Sequence, residues 1–123
     1  MPGLAAASEN VNKERFLGFR IISRPIGGSN DISYFLDPDY FSGNTFRRNC
    51  KVRIIAFAGA SNDKQNINVQ LSGVGELVSA WDYDKRYLKY TNNVYEVSSG
   101  QYLTVNNSGY YSGISGYVVY LAE

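Results

Sequence analysis

At 123 residues the chain has the length of one domain, able to bury about two-thirds of its unfolded surface without disulfide support. A formal charge of +1 argues against electrostatic capture of nucleic acid or of an anionic membrane surface. With no histidine and one cysteine, Cys50, the usual zinc constellations and an intramolecular disulfide are excluded, and a cysteine nucleophile lacks an imidazole base.

Residues 1–14 hold Pro2, Gly3, three consecutive alanines and no aromatic residue, with no strand periodicity. They read as an extended arm, either a disordered terminus or a segment that orders by packing on another subunit. A short helix capped by Ser8 is conceivable but marginal in isolation. The segment lacks the basic start and long apolar core of a signal peptide, so export by that route is not expected. No apolar run approaches the ~20 residues of a spanning helix.

The pattern changes at Phe16, where Leu17, Phe19 and Ile21 alternate with Gly18, Arg20 and Ile22 before Pro25 and Gly27-Gly28. This predicts a first strand. Ile32–Leu36 predicts a second, closed by an Asp37-Pro38-Asp39 turn in which proline presets φ and aspartate accepts from nearby backbone N–H groups. Thr45–Arg48 leads to Lys51–Ala58, where Val52, Ile54 and Ala56 oppose Arg53, Ile55 and Phe57; apolar content on both faces predicts a central strand. Gly59–Asn66 reads as a polar loop. Ile67–Ser72 follows as a half-buried strand, with Ile67, Val69 and Leu71 inward and Asn68, Gln70 and Ser72 outward.

Leu77–Trp81 predicts a further short strand. The segment 82–90 is ambiguous: Tyr83, Tyr87 and Tyr90 stand at helical spacing after a capping Asp82, yet Tyr87–Tyr90 also suits a strand before an Asn92-Asn93 turn, and strand is favoured. Three strands close the chain, at Val94–Val97, Gln101–Val105 and Tyr117–Ala122, each bounded by Gly, Ser or Asn. The last is apolar or aromatic on both faces, which suits a core on one side and a neighbour on the other. Eight to nine short strands with turns every eight to twelve residues and no long helix indicate an all-β sandwich or barrel, and an antiparallel β-sandwich of about eight strands, residues 15–123, preceded by the arm, is favoured. The aromatic load of eleven tyrosines, six phenylalanines and one tryptophan agrees with it.

Candidate chemistry is sparse. Asp37/Asp39 and Asp82/Asp84 are carboxylate pairs that glycoside hydrolysis or calcium binding would use, but i, i+2 pairs in turns are commonly turn formers. No catalytic residue, cofactor or metal ligand is assigned, and no enzymatic activity is expected. Arg47, Arg48, Lys51 and Arg53 near Phe46 and Phe57 fit a single-strand nucleic-acid binder, against which the near-neutral charge argues. Cys50 reads as an inert, small core residue, although Arg48 and Lys51 flank it. A sugar-binding module would stack its ligand on Trp81, Tyr83 and Tyr110. In the Ser108–Gly116 turn, Tyr110 and Tyr111 offer large contact area at low entropic cost, or else fold back over their own core.

The closing cadence VSSGQYLTVNNSG...GISGYVVYLAE, with the arm, the single cysteine and the tyrosine-rich sandwich, resembles small jelly-roll proteins that assemble on virus particles. The family it resembles is the bacteriophage capsid decoration, or cement, protein. In that resemblance Ser99-Gly100-Gln101-Tyr102-Leu103 is the turn entering a late strand, and Gly116–Glu123 the terminal strand returning beside it. The resemblance implies a jelly-roll fold and a homo-oligomer, trimer before dimer, seated on a capsid protein lattice at the virion surface after synthesis in the host cytoplasm. Leu4, Val11, Tyr110 and Tyr111 are then the expected interface residues, with no nucleic acid or membrane as partner. The alternative is a lectin-like sandwich for surface attachment.

Overall fold

The computed structural model describes residues 14–23, 30–60, 64–83, 87–89, 92–109 and 113–122. Among them the strands are β1 (Arg15–Ser23), β2 (Asn30–Leu36), β3 (Phe41–Ser42), β4 (Thr45–Phe46), β5 (Cys50–Ala60), β6 (Lys64–Leu71), β7 (Gly75–Tyr83), β8 (Tyr87–Lys89), β9 (Asn92–Val97), β10 (Leu103–Gly109) and β11 (Gly113–Ala122). The described residues include no helix. One sheet runs β2-β1-β11-β5-β9 and the other β10-β6-β7-β8, with the small β3-β4 hairpin beside β10.

Phe46 N–H donates to Gln101 O at 2.8 Å, Gly100 N–H to Phe46 O at 2.8 Å and Leu103 N–H to Asn44 O at 3.0 Å, which attach the hairpin to the start of β10. Thr45 and Tyr102 form a bridge at the same place. The antiparallel partners are therefore nested: β1 with β11, β4 with β10, β5 with β9, β6 with β7. A long two-stranded ribbon rolled up on itself gives this order, with successive ribbon segments falling into opposite sheets. That is the jelly-roll sandwich.

The core lies between the sheets because alternate residues of each strand turn inward. From the five-stranded sheet come Val52, Ile54 and Ala56 of β5 and Tyr117 and Val119 of β11; from the other come Ile67, Val69 and Val78, all buried. The inward and outward sets of β5 and β6 are those the sequence predicts. Two polar ties cross the core. Asn107 of β10 donates its amide to Ser115 Oγ of β11 and to Asn66 O at 3.2 Å, and Tyr95 OH of β9 donates to Leu77 O of β7. Ser115 is fully buried, so its partner offsets a desolvation cost of about 1–3 kcal/mol.

Several expectations are corrected. Strand β1 does not put Leu17, Phe19 and Ile21 on one face: Phe16 pairs Tyr120 and Gly18 pairs Val119, so Leu17 is an extra residue in a bulge. Gly18 sits at φ 147, and a Cβ there would lie 2.1 Å from Phe35 O, so glycine is required. The bulge turns Leu17 into the core and leaves Phe16, Phe19 and Ile21 outside. The expected Gly59–Asn66 loop is mostly strand, because β5 continues to Ala60 and β6 starts at Lys64. Residue 92 begins β9 instead of a turn, whereas the favoured strand reading of 82–90 holds at 82–83 and 87–89. Gly113–Gly116 belongs to β11, since pairing with β1 and β5 satisfies its backbone groups. The terminal strand lies between those two partners, in the sheet opposite β10, not beside it.

Candidate functional site

The outward face of the five-stranded sheet is the feature that packing within one chain does not explain. Cross-strand register assembles it in rows. One row aligns Phe35, Phe19, Val118 and Ile55; the next aligns Ser33, Ile21, Gly116 and Phe57; a third aligns Phe16, Tyr120, Arg53 and Val94. Ile114 extends it at one end. Phe16, Phe35, Val94 and Ile114 are 40–45% exposed and Ser33 is exposed, Gly116 is buried, and the others are half-buried.

Ring contacts order the surface. Phe16 stacks on Phe19 with centroids 6.2 Å apart and meets Tyr120 edge-on at 5.7 Å. The Phe57 ring lies over Gly116, where a Cβ would stand 2.8 Å from the ring and 2.0 Å from Arg20 O. Arg53 is the single cation in these rows, and Glu14 holds it with Nε at 2.8 and 3.0 Å from the two carboxylate oxygens. The surface is thus electrically neutral as well as apolar. Strand spacing and rise make it about 24 Å by 24 Å, or roughly 580 Å² in projection, and the next row, with Lys51 opposite Glu96, is charged. That is at the upper end of the apolar patches monomers expose, and close to the ~800 Å² a partner contributes to a stable interface.

The acidic turn is structural. Asp37 Oδ1 accepts from Asp39 N–H at 2.8 Å and Oδ2 from Arg15 at 2.7 Å, while Arg15 and Arg48 flank the Tyr40 ring at 5.3 and 4.5 Å. The Asp39 amide, then Arg15, hold the Asp37 carboxyl below its ordinary value of 3.8 against the opposing effect of desolvation. Arg48 also donates to Asp39 O at 3.0 Å, and Arg47 to Pro38 O. The arginines expected to track a nucleic-acid strand are therefore tied to this turn, Arg53 lies on the apolar face, and Phe46 is buried against Phe41 with centroids 4.5 Å apart. These residues do not form one site. Asp84 is outside the described residues, and of Asp82 only the backbone is described. Cys50 packs against the core edge, and burial raises its thiol pKa, with Arg48 only partly opposing.

Of the expected interface residues, Leu4, Val11, Tyr110 and Tyr111 all lie outside the described residues. Trp81 sits on the outward face of β7, partly buried; Tyr83 is described by its backbone alone, paired with Lys64 and Tyr87; Tyr110 is not described. Phe16, Phe19, Phe35 and Tyr120 carry no functional expectation from the sequence, and Phe57 carries one only as a partner of the basic residues. The signal was present in the doubly apolar strands β5 and β11, but the bulge at Gly18 hid the contribution of β1.

Solved structures share this fold. The globular domain of zebrafish complement 1qA protein aligns with a TM-score of 0.53 at 10% identity, covering 87% of this chain and 98% of that one. Eiger TNF from S. frugiperda aligns with a TM-score of 0.58 at 10% identity, covering 89% of this chain and 92% of that one. At such identity the likeness is one of jelly-roll architecture. No protein-family model matches the sequence, and no curated protein sequence matches it.

Proposed function

We propose that this chain is a non-enzymatic assembly protein that associates with copies of itself through the outer face of the five-stranded sheet, the oligomer then decorating and bridging a larger protein lattice such as a viral capsid. The observation that carries the self-association is the continuous apolar face of roughly 580 Å². A second copy is the occupant it suits, because the face presents no unmatched charge to a solvated partner and its area is near what one side of a stable interface needs.

The face is chemically divided. Its β1-β2 half carries the rings of Phe16, Phe19 and Phe35, and its β5-β9 half carries Ile55, Phe57 and Val94. Contact of one half with the other half of a neighbour is heterologous, and the smallest closed ring built that way is a trimer. Placement on a capsid at the virion surface rests on the sequence resemblance. Many weak contacts repeated by one oligomer across a lattice add up to firm attachment.

Sedimentation equilibrium tests the first step: a species of three times the 13.7 kDa chain mass is expected at micromolar concentration. A monomer at all concentrations refutes self-association. Co-sedimentation of the oligomer with intact particles tests the second step, and an oligomer that stays in the supernatant refutes the decoration role alone.

A further inference from the structure

An ion pair stands within the apolar rows, and it stands on one half of them. Arg53 of β5 carries the guanidinium, and Glu14, the residue before β1, supplies the carboxylate, with Nε at 2.8 and 3.0 Å from its two oxygens. Both side chains are still open to solvent, at 32% for Arg53 and 30% for Glu14. A copy seated on this face therefore covers them. Covering a charged pair costs a desolvation that methionine or leucine at the same position would not incur, so apolar packing alone does not account for an arginine here.

The shape of the guanidinium supplies a compensation. Its hydrogen bonds lie in its own plane, so the carboxylate at Nε does not use the flat faces. A flat cation is attracted to the negative face of an aromatic ring, and more strongly once both are out of water. The chain makes this contact elsewhere, where Arg15 and Arg48 stand 5.3 and 4.5 Å from the centroid of the Tyr40 ring.

The exposed rings of the apolar face, Phe16 and Phe35, stand on its other half, on β1 and β2. Phe16 already gives its ring to Phe19 and Tyr120. Phe35 stands on the edge strand β2, where an approaching copy meets it. Within one chain Arg53 and Phe35 are held apart. Strands β1 and β11 lie between them, and Arg53 is two residues along β5 from Ile55, the β5 member of the Phe35 row, which makes the separation about 16 Å.

We infer, resting on the self-association proposed above, that Arg53 of one copy lays its guanidinium against the Phe35 ring of the next, while Glu14 holds the guanidinium plane and balances its charge. The contact joins unlike halves of the face, so it recurs at every seam of a closed ring. It also gives the seam a direction. A purely aliphatic seam would accept either half of a neighbour, whereas the cation favours the half that carries the ring.

Arg53→Gln and Phe35→Leu, alone and together, close a double-mutant cycle on the association constant, read by sedimentation equilibrium of the full chain from about 10 nM to 100 µM. Each substitution alone is expected to weaken association about ten-fold or more. The double variant should be about one-hundred-fold less weakened than the product of the two, which is about five-fold for each of three equivalent seams. In an Ile114→Lys background, expected to keep the chain monomeric, the same two substitutions should shift the urea midpoint additively, because residues about 16 Å apart do not couple within one chain. A wild-type oligomer in which the two substitutions are additive overturns the inference and leaves self-association standing. Coupling of the same size in the urea midpoint of the monomer overturns it too, since the coupling then arises inside one chain. A wild-type monomer at every concentration overturns both.

Discussion

Phe35→Ala probes the self-association surface at a residue on the edge strand β2. A phenylalanine side chain exposes about 200 Å² when free, and Phe35 remains 45% exposed, leaving about 90 Å² for a partner to cover. At 25 cal/mol per Å², its complete burial contributes about 2 kcal/mol per copy. Three copies lose about 6–7 kcal/mol, which weakens trimer association by roughly five orders of magnitude. Sedimentation equilibrium across nanomolar to micromolar concentration reads that change directly. The part of the ring already buried in one chain costs folding a similar amount, so urea unfolding is measured alongside. Ile114→Lys, at 44% exposure on the same face, places a charge in the contact while the folded monomer can keep that charge in water, and should separate the copies at little cost to the fold. Tyr102→Ala removes an equally exposed ring from the opposite sheet and should leave the mass unchanged. Wild-type mass in Phe35→Ala and Ile114→Lys, or monomer in Tyr102→Ala, would refute the assignment of the face.

The remaining predictions concern the frame that carries both faces. Gly116→Ala forces a methyl group to within 2.0 Å of Arg20 O and should cost at least ~2 kcal/mol in urea unfolding, because backbone on a paired strand cannot step aside. Asp37 has its pKa lowered in the folded chain, so its contribution is present above the unfolded value near 3.8 and is lost as pH falls through the folded value; Asp37→Asn should flatten the acid limb of a stability-against-pH curve. Cys50, with its thiol pKa raised by burial, should react at least about ten-fold more slowly than free cysteine with a thiol reagent near pH 8, and denaturant should abolish the difference.

Much of the fold is legible in the residues. Ile67, Val69 and Leu71 alternating with amides declare a half-buried strand, and Asp37-Pro38-Asp39 declares a turn whose side-chain to backbone bond is the one observed. Candidate-site reading fared less well. Tyrosines in the 108–116 segment stand out as aromatic residues in an apparent loop, whereas phenylalanines inside strands look like ordinary core. Local pattern does not distinguish a ring facing a core from one facing outward, since both faces of a doubly apolar strand have the same composition.

By itself the sequence determined that this chain builds pleated layers, and that β5 and β11 need cover on both sides. Which strands share a sheet was decided by tertiary structure, because Phe16 and Tyr120 meet from opposite ends of the chain and no local preference encodes that pairing. Once they meet, the bulge at Gly18 turns the β1 rings outward, and the second faces of β1, β5 and β11 merge into one surface. The other sheet gathers amides by the same rule of register. A strand records what each of its sides prefers, but only the assembled sheets determine which sides adjoin and which side meets the core.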